Sequence, residues 1–167
     1  MLQTAIEFKN VTKLFGEGGT KAVDDISFEI KEGEFITVLG SSGSGKTTTL
    51  KMINRLIRED EGNITFFGED ISGMNEVDLR RKIGYVVQQI GLFPHMTVAQ
   101  NIATVPELLK WDKKEIQARV KELLELVQVD PNVFADRMPN NLSGGQQQRV
   151  GVARALDAKK KVMLLDE

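Results

Sequence analysis

The chain has no cysteine, one tryptophan, one tyrosine and one histidine among its 167 residues. The absence of cysteine excludes a disulfide-bonded scaffold, thiolate zinc sites and cysteine catalysis. No stretch approaches the roughly 20 apolar residues of a membrane-spanning helix. The first seven residues also lack the basic and apolar regions of a secretory signal. We therefore expect any role at a membrane to depend on a partner.

Neither sign of charge dominates, since 22 lysines and arginines balance 24 aspartates and glutamates to a net charge of −2. This balance gives no general attraction to nucleic acid or to an acidic membrane surface. Hydrophobic residues at 41% and charged residues at 28% are typical of a folded globular domain rather than of a disordered chain. The length suits one domain with one sizeable core.

The hydrophobic pattern changes from strand-like to helical along the chain. The run 35–39 is continuously apolar, which predicts a strand buried on both faces of a parallel sheet. A helix is predicted to follow it as far as residue 57, and a short helix over 78–82. Alternating or β-branched runs predict strands over four further segments, 5–14, 23–30, 64–67 and 83–87.

Helical character is predicted from residue 97 to about 156, and it is clearest over 113–128. Asp112 is the expected N-cap of that helix. The chain then returns to an apolar strand, Val162–Leu165. One face of the predicted helix carries Ile116, Val120, Leu123, Leu124 and Val127.

The segment 40–47 fits the pattern G-x-x-x-x-G-K-[ST] between a predicted strand and a predicted helix. Its glycines allow main-chain N–H groups to surround phosphates at a helix N-terminus. Lys46 would reach the β- and γ-phosphates, and the Thr47 hydroxyl would bind Mg²⁺. The alternative is a Gly/Ser turn that matches by accident, which the strand–loop–helix context disfavours. The residues of this phosphate loop are Gly40, Ser41, Ser42, Gly43, Ser44, Gly45, Lys46 and Thr47, followed by Thr48.

The strand Val162–Leu165 ends in two carboxylates, Asp166 and Glu167. Because strand side chains alternate, one acid can face a metal while the other faces an attacking water. The alternative is a strand that simply ends in acids. Beside a phosphate loop, the pair is the expected second half of a nucleotide site.

A second glycine-rich segment, Leu142-Ser143-Gly144-Gly145-Gln146, precedes a helical run to Leu156. Ser143 and Gln146 fit a capping box, so the segment could simply begin a well-capped helix. It could also be a second anion site, in which the two glycines expose N–H groups at a helix N-terminus. The pentapeptide alone does not decide between these interpretations.

The chain resembles the ATP-binding subunit of an ABC transporter, because the three motifs follow one another in the order and at approximately the spacing found in that family. The similarity covers essentially the whole chain and is greatest to importers of quaternary amines such as glycine betaine, carnitine or choline. It implies an α/β fold, with a P-loop NTPase (RecA-like) core, an N-terminal antiparallel β-subdomain and an α-helical subdomain. The C-terminal part of the core is expected to be missing, with the chain truncated after the Walker B motif.

The implied organisation is a single ATPase domain over 1–167. Within it, 1–88 form the β-subdomain and the core with the phosphate loop, 89–156 the helical subdomain with the signature motif, and 157–167 the Walker B strand. In the family topology, the strand after Glu167 lies between the phosphate-loop strand and Val162–Leu165. We therefore expect the 167-residue chain alone to be a poor ATPase of low stability.

Residue roles follow from the resemblance. Gln88 is similar to the Q-loop glutamine at the Mg²⁺ and γ-phosphate, although it could be only a polar residue at a strand end. Phe15 lies where an aromatic ring usually stacks on adenine, although it could be a core residue. The implied catalytic residues are Glu167, Gln88 and Lys46. The implied cofactors are ATP and Mg²⁺. The residues implied to bind ATP are Phe15, the loop 40–48, Ser143, Gly144, Gly145 and Gln146. Those implied to bind Mg²⁺ are Thr47, Gln88 and Asp166.

The resemblance implies an ATP hydrolase that drives solute import as a homodimer. Its expected partners are transmembrane permease subunits at the cytoplasmic face of the membrane and, indirectly, a substrate-binding protein, with no nucleic acid. Leu92-Phe93-Pro94 is similar to an exposed apolar loop near the permease, and His95 is not expected to be catalytic. The alternatives are another importer, such as one for amino acids, or a non-catalytic nucleotide-binding fragment. Compact motif spacing, the absence of cysteine and the net charge of −2 disfavour an ABC ATPase of DNA repair, chromosome structure or translation.

Overall fold

The computed structural model describes residues 2–16, 18–87, 91–158 and 160–166. They group into two compact units, Met1–Arg80 and Arg81–Glu167. The three-part division expected from the sequence stays a prediction. Among the described helices, none combines the length and the apolar character that a bilayer-spanning helix needs.

The first unit is built on an antiparallel sheet, as the family resemblance implies. Its four strands lie in the order β2-β1-β3-β4. Phe8 at the centre of β1 pairs with Phe28 on one side and with Ile64 on the other. The Phe8 and Phe28 rings stack with their centroids 4.5 Å apart, and Phe8 is buried. The strands are β1 (Thr4–Phe15), β2 (Thr20–Lys31), β3 (Glu61–Phe66) and β4 (Glu69–Asp70).

Two helices complete this part of the chain, α1 (Lys46–Ile53) and α2 (Glu76–Lys82). Helix α1 follows the phosphate loop as predicted but ends four residues before the predicted end. Arg55 lies just beyond it, is buried, and donates from Nη1 to the carbonyl oxygens of Ile71 and Ser72 at 2.7 and 3.0 Å. These bonds satisfy carbonyls of the 3₁₀ turn Ile71–Gly73 and fix the chain after α1.

The strand predicted over 35–39 is wrong for this structure. Residues 34–40 adopt no regular structure, and Phe35 and Leu39 are 85% and 86% exposed. The burial expected on both faces is also not observed, since all five residues are exposed. A strand needs neighbouring main chains to accept and donate its hydrogen bonds. No described strand pairs with this segment, so the local pattern alone does not form a strand.

The second unit combines a short parallel sheet with a helical core. Strands β5 (Ile83–Val86) and β6 (Val162–Leu165) pair in parallel. The helices are α3 (Val98–Leu108), α4 (Lys113–Leu126), α5 (Pro131–Phe134) and α6 (Gly144–Ala155). Ten buried side chains form their core: Val98, Ile102, Ala103, Val120, Leu123, Leu124, Val129, Leu142, Val150 and Ala153.

The structure confirms the amphipathic helix predicted after Asp112. The Asp112 carboxylate accepts a hydrogen bond from the Lys114 N–H at 2.8 Å, which makes it the N-cap of α4. Val120, Leu123 and Leu124 are buried in the helical core. Ile116 and Val127, at the two ends of the same face, are partly buried against it.

Candidate functional site

The phosphate loop precedes α1 in the first unit, and its shape requires glycine at position 45. Gly45 is the N-cap of α1 with φ of +89°, a left-handed conformation that glycine adopts without strain. A Cβ at Gly45 would collide with the carbonyl oxygen of Ala22 on β2, and one at Gly40 would collide with the Ser44 hydroxyl. Larger residues are therefore excluded at Gly45, where the close atom belongs to the main chain, whereas at Gly40 the Ser44 side chain would have to rotate away.

Lys46 is held by the loop that it follows. Its ammonium donates to the carbonyl oxygen of Gly40 at 2.8 Å and to that of Ser41 at 2.7 Å, and Ser44 Oγ lies 3.4 Å away. The positive charge is thus held over the loop, within reach of an anion that the loop binds. A phosphate group at this place can replace the carbonyl oxygens as the acceptor of these bonds.

The start of α1 suits an anionic ligand. Within the described loop 40–48, no side chain caps the helix, because the N-cap position is a glycine. The first N–H groups of a helix lack intrahelical partners, and the helix dipole favours negative charge there. Together with the Lys46 ammonium, these donors fit a polyphosphate.

The second glycine-rich segment begins α6 in the second unit, and its predicted capping box is confirmed. Ser143 Oγ accepts from the Gln146 N–H at 3.3 Å, while Gln146 Oε1 accepts from the Ser143 N–H at 2.9 Å. Leu142 is buried in the helical core, whereas Gly144 and Gly145 are exposed. The segment is therefore a well-capped helix start, and its role as a second anion site stays a prediction.

Asp166 follows β6 and is fixed from two sides by β5. Its main-chain N–H donates to the Val86 carbonyl oxygen at 3.0 Å, and its Oδ2 accepts from the Tyr85 hydroxyl at 3.0 Å. Burial raises the pKa of Tyr85 to about 12, and the hydrogen bond to Asp166 and the negative charge of its carboxylate add to the effect. The phenol therefore remains a hydrogen-bond donor across the neutral pH range.

Two predicted catalytic residues, Gln88 and Glu167, lie outside the described residues. The described part of the chain contains no group of three or more His, Cys, Asp or Glu side chains that could hold a metal ion. Mg²⁺ in nucleotide sites usually has only one or two protein carboxylates and takes its other ligands from phosphates and water. The Asp166 carboxylate and the Thr47 hydroxyl are oxygen donors, the type of ligand that Mg²⁺ prefers. The roles of Thr47, Gln88 and Asp166 as Mg²⁺ ligands stay a prediction.

Phe15 ends β1 and is not a core residue, because 44% of it is exposed. The Lys13 ammonium lies 5.4 Å from the centroid of its ring. An exposed ring face is what stacking on a base requires. The adenine role of Phe15 stays a prediction.

The apolar segment after residue 91 is held by side chains that the sequence pattern does not single out. Asn101 on α3 is fully buried, and its Oδ1 accepts from the Phe93 N–H at 2.8 Å. Its Nδ2 donates to the carbonyl oxygens of Phe93, Met96 and Thr97 at 3.0 to 3.2 Å. From α6, Arg154 Nη1 donates to the Gly91 carbonyl oxygen at 2.7 Å. Phe93 is 40% exposed on this well-anchored segment, whereas Leu92 is partly buried against the helical core. The role of the loop near the permease stays a prediction.

Comparison with known proteins gives a consistent result. The family model described as ABC transporter matches residues 23–167. Over 162 residues, the chain is 55% identical to the glycine betaine uptake system ATP-binding protein YehX of Escherichia coli (strain K12), covering 97% of this chain and 52% of that protein. It is 54% identical to the choline transport ATP-binding protein OpuBA of Bacillus subtilis (strain 168), covering 97% and 42%. The chain thus spans about half the length, or less, of these curated relatives.

A solved structure agrees with these relatives. The structure described as a dimeric post-hydrolysis state of the ATP-binding cassette MJ0796, bound to ADP and Pi, matches with a TM-score of 0.85 and 35% identity. The match covers 97% of this chain and 73% of that one. The P-loop NTPase type of fold implied by the resemblance is thereby confirmed.

Proposed function

The chain belongs to the ABC transporter family, and on that premise we propose that it binds and hydrolyses ATP to drive the import of a quaternary-amine osmoprotectant. The observation that carries this proposal is the phosphate loop 40–48, where the Lys46 ammonium lies over loop carbonyls beside a helix start with no side-chain cap. The proposed solute rests on the names of the two relatives, which are proteins of glycine betaine uptake and choline transport.

The loop supplies the binding of the nucleotide in this proposal. Its main-chain N–H groups and the Lys46 ammonium offset the charge of the phosphates, and Lys46 exchanges its carbonyl acceptors for phosphate oxygens. The exposed ring of Phe15 stacks on the adenine. Thr47 and Asp166 are proposed ligands of Mg²⁺, together with Gln88. When bound with the nucleotide, Mg²⁺ neutralises charge that develops on the transferred phosphoryl group.

The hydrolytic step is assigned to Glu167. Its carboxylate orients a water molecule for attack on the γ-phosphorus and accepts the proton that this water loses. The bond between the γ-phosphorus and the bridging oxygen breaks as the new one forms, and the products are ADP and inorganic phosphate. Gln88 helps to position the reacting groups.

Two copies form the working ATPase in this proposal. The phosphate loop of one copy binds ATP that is also contacted by Ser143, Gly144, Gly145 and Gln146 of the second copy. The exposure of Gly144 and Gly145 supports this arrangement, as does the dimeric state in the description of the solved relative. Permease subunits hold the dimer at the cytoplasmic face of the membrane, and a substrate-binding protein acts through them.

The substitution Lys46→Ala tests the nucleotide site. We expect the affinity for Mg-ATP to fall by about 10- to 100-fold, because a hydrogen bond to a charged group contributes roughly 1.5–3 kcal/mol. Isothermal titration calorimetry measures the affinity, and circular dichroism checks that the variant keeps its helices. Lys51→Ala is the matched control, since it removes the same charge from the last turn of the same helix.

An unchanged affinity in Lys46→Ala, or an equal loss in Lys51→Ala, would contradict the assignment of nucleotide binding to the loop.

The substitution Glu167→Gln tests hydrolysis separately from binding. This variant should bind ATP while phosphate release collapses, because the amide keeps the shape but cannot accept the proton. Normal release would move the role of general base to another residue.

A further inference from the structure

The parallel pairing of β5 and β6 brings one side chain of β5 to the carboxylate that follows β6. Tyr85 is opposite Leu164 in the register of the two strands. Because side chains two residues apart lie on the same face of a strand, Asp166 continues the face of Leu164. Tyr85 and Asp166 are therefore diagonal neighbours on one face of the pair, within the reach of an aromatic side chain.

The contact between them is a hydrogen bond and not only packing. The Tyr85 hydroxyl donates to Asp166 Oδ2 at 3.0 Å in a partly buried setting. The main chain of Asp166 is fixed separately, by its N–H bond to Val86. With the main chain fixed, the remaining freedom of the carboxylate is rotation of its side chain, and the terminal torsion of aspartate has a broad, weakly restricted distribution. The phenol removes much of that freedom.

We propose that Tyr85 is a positioning residue that orients the Asp166 carboxylate toward the Mg²⁺ of the bound nucleotide. The inference rests on the proposed function, because that function makes Asp166 a ligand of the metal. Hydrogen-bonded partners of a ligating carboxylate set its orientation, and their loss typically weakens metal affinity by about 10- to 100-fold. The hydroxyl, rather than the ring, is the part of Tyr85 that performs this role.

The substitution Tyr85→Phe tests the hydroxyl alone, since it keeps the ring and removes the donor. ATP binding is measured by calorimetry in the presence of a chelator and then at increasing Mg²⁺ concentrations. We expect the Mg²⁺ affinity of the ATP complex to fall by about tenfold or more in the variant. Met163→Leu is the matched control, because Met163 is on the opposite face of β6 and the exchange nearly conserves volume.

The outcomes separate this inference from the proposed function. If the unsubstituted chain shows by circular dichroism the helices of the structure and binds no ATP, both are wrong. If it binds ATP and Tyr85→Phe has the same Mg²⁺ affinity, only the inference is wrong. A loss of Mg²⁺ affinity in Met163→Leu equal to that in Tyr85→Phe would also overturn the inference, since it would indicate a general effect on the two strands.

A second measurement needs no substitution. Tyr85 is the only tyrosine in the chain, so tyrosine labelled with ¹³C at Cζ gives a single nuclear magnetic resonance signal from its phenol. If Tyr85 holds a metal ligand, adding Mg²⁺ to the ATP complex will shift this resonance, because the charge on its hydrogen-bond acceptor changes. An unchanged resonance at saturating Mg²⁺ would overturn the inference even if Tyr85→Phe did not fold.

Discussion

Helices α1 and α6 both begin at segments rich in glycine and serine, but the two begin in opposite ways. Helix α1 starts from Gly45, in a left-handed conformation and with no side-chain cap. Helix α6 starts from Ser143, which exchanges hydrogen bonds with Gln146 in a complete capping box. The start of α1 leaves main-chain N–H donors for a ligand, whereas at the start of α6 side chains accept hydrogen bonds from two of the main-chain N–H groups.

This difference shows that similar composition can serve two structural purposes. The loop before α1 depends on glycine conformations and on the contacts of Lys46 with Gly40 and Ser41. The segment before α6 is held by its capping box and by the burial of Leu142. Substitutions that act on one kind of helix start and not on the other can therefore test the comparison.

The largest effect is expected for Gly45→Ala. An alanine there must hold a positive φ, and its Cβ collides with the main chain of β2 at Ala22. We expect the free energy of unfolding to fall by at least about 2 kcal/mol, because the left-handed conformation alone costs roughly 1–2 kcal/mol. Mg-ATP binding should weaken as well. Urea unfolding followed by circular dichroism measures the stability.

Gly43→Ala is the matched control for this substitution. Gly43 has a similar φ of +80°, but a Cβ there meets no atom within 4 Å. Gly43→Ala should lose only the free energy needed to hold alanine at a positive φ, so its stability should fall clearly less than that of Gly45→Ala. Equal losses would mean that the contact with β2 has no energetic consequence.

A smaller effect is expected for Ser143→Ala, which removes the side-chain acceptor at the start of α6. The free energy of unfolding should fall by about 1 kcal/mol, as is typical when an N-cap is lost. Thr97→Ala provides the comparison within the same unit, because Thr97 and Gln100 form an equivalent capping box on α3. If Ser143→Ala leaves the urea midpoint unchanged while Thr97→Ala lowers it, the idea that α6 caps itself is wrong.

The smallest effect, and one of opposite sign, is expected for Gly144→Ala. Gly144 is in the first turn of α6, its φ is not positive, and a Cβ there meets nothing within 4 Å. Alanine restricts the unfolded chain more than glycine does, so stability should rise by a few tenths, at most about 1 kcal/mol. A loss of stability in the same urea experiment would show that the start of α6 needs glycine for its fold.

The sequence predicted those elements whose stability is local or whose neighbours are close in the chain. The extended β1, the N-cap of α4 at Asp112 and the capping box of α6 were all predicted and are present. The two caps have their hydrogen-bond partners within three residues, and β1 pairs along its length with the adjacent hairpin strand β2, in addition to its pairing with the more distant β3. Periodicity and capping residues are informative at that range.

The features that the sequence predicted wrongly or did not predict depend on contacts between residues that are distant in the chain. The run 35–39 predicts a buried strand, but its residues are exposed and unpaired with any described strand, because the pattern cannot specify a neighbour to pair with. Tyr85 and Asp166 are 81 residues apart, and only the parallel register makes them neighbours. In the sequence, nothing distinguishes Asn101 from other polar residues of a helix, although it is fully buried and its side chain forms hydrogen bonds to Phe93 and Thr97. Sequence patterns carry no register between distant elements, so these contacts needed the structure.

The open segment 35–39 also has a consequence for how the protein behaves in concentrated solution. It is five residues of high β-propensity without a charge or a proline, and its two end residues are more than four-fifths exposed. Such segments pair between molecules as the strands of fibrils do. Encounters between molecules become more frequent with concentration, so loss of monomer to self-assembly should rise steeply. We expect charges introduced into this segment to raise the solubility of the protein, since a net charge of −2 provides little mutual repulsion between copies.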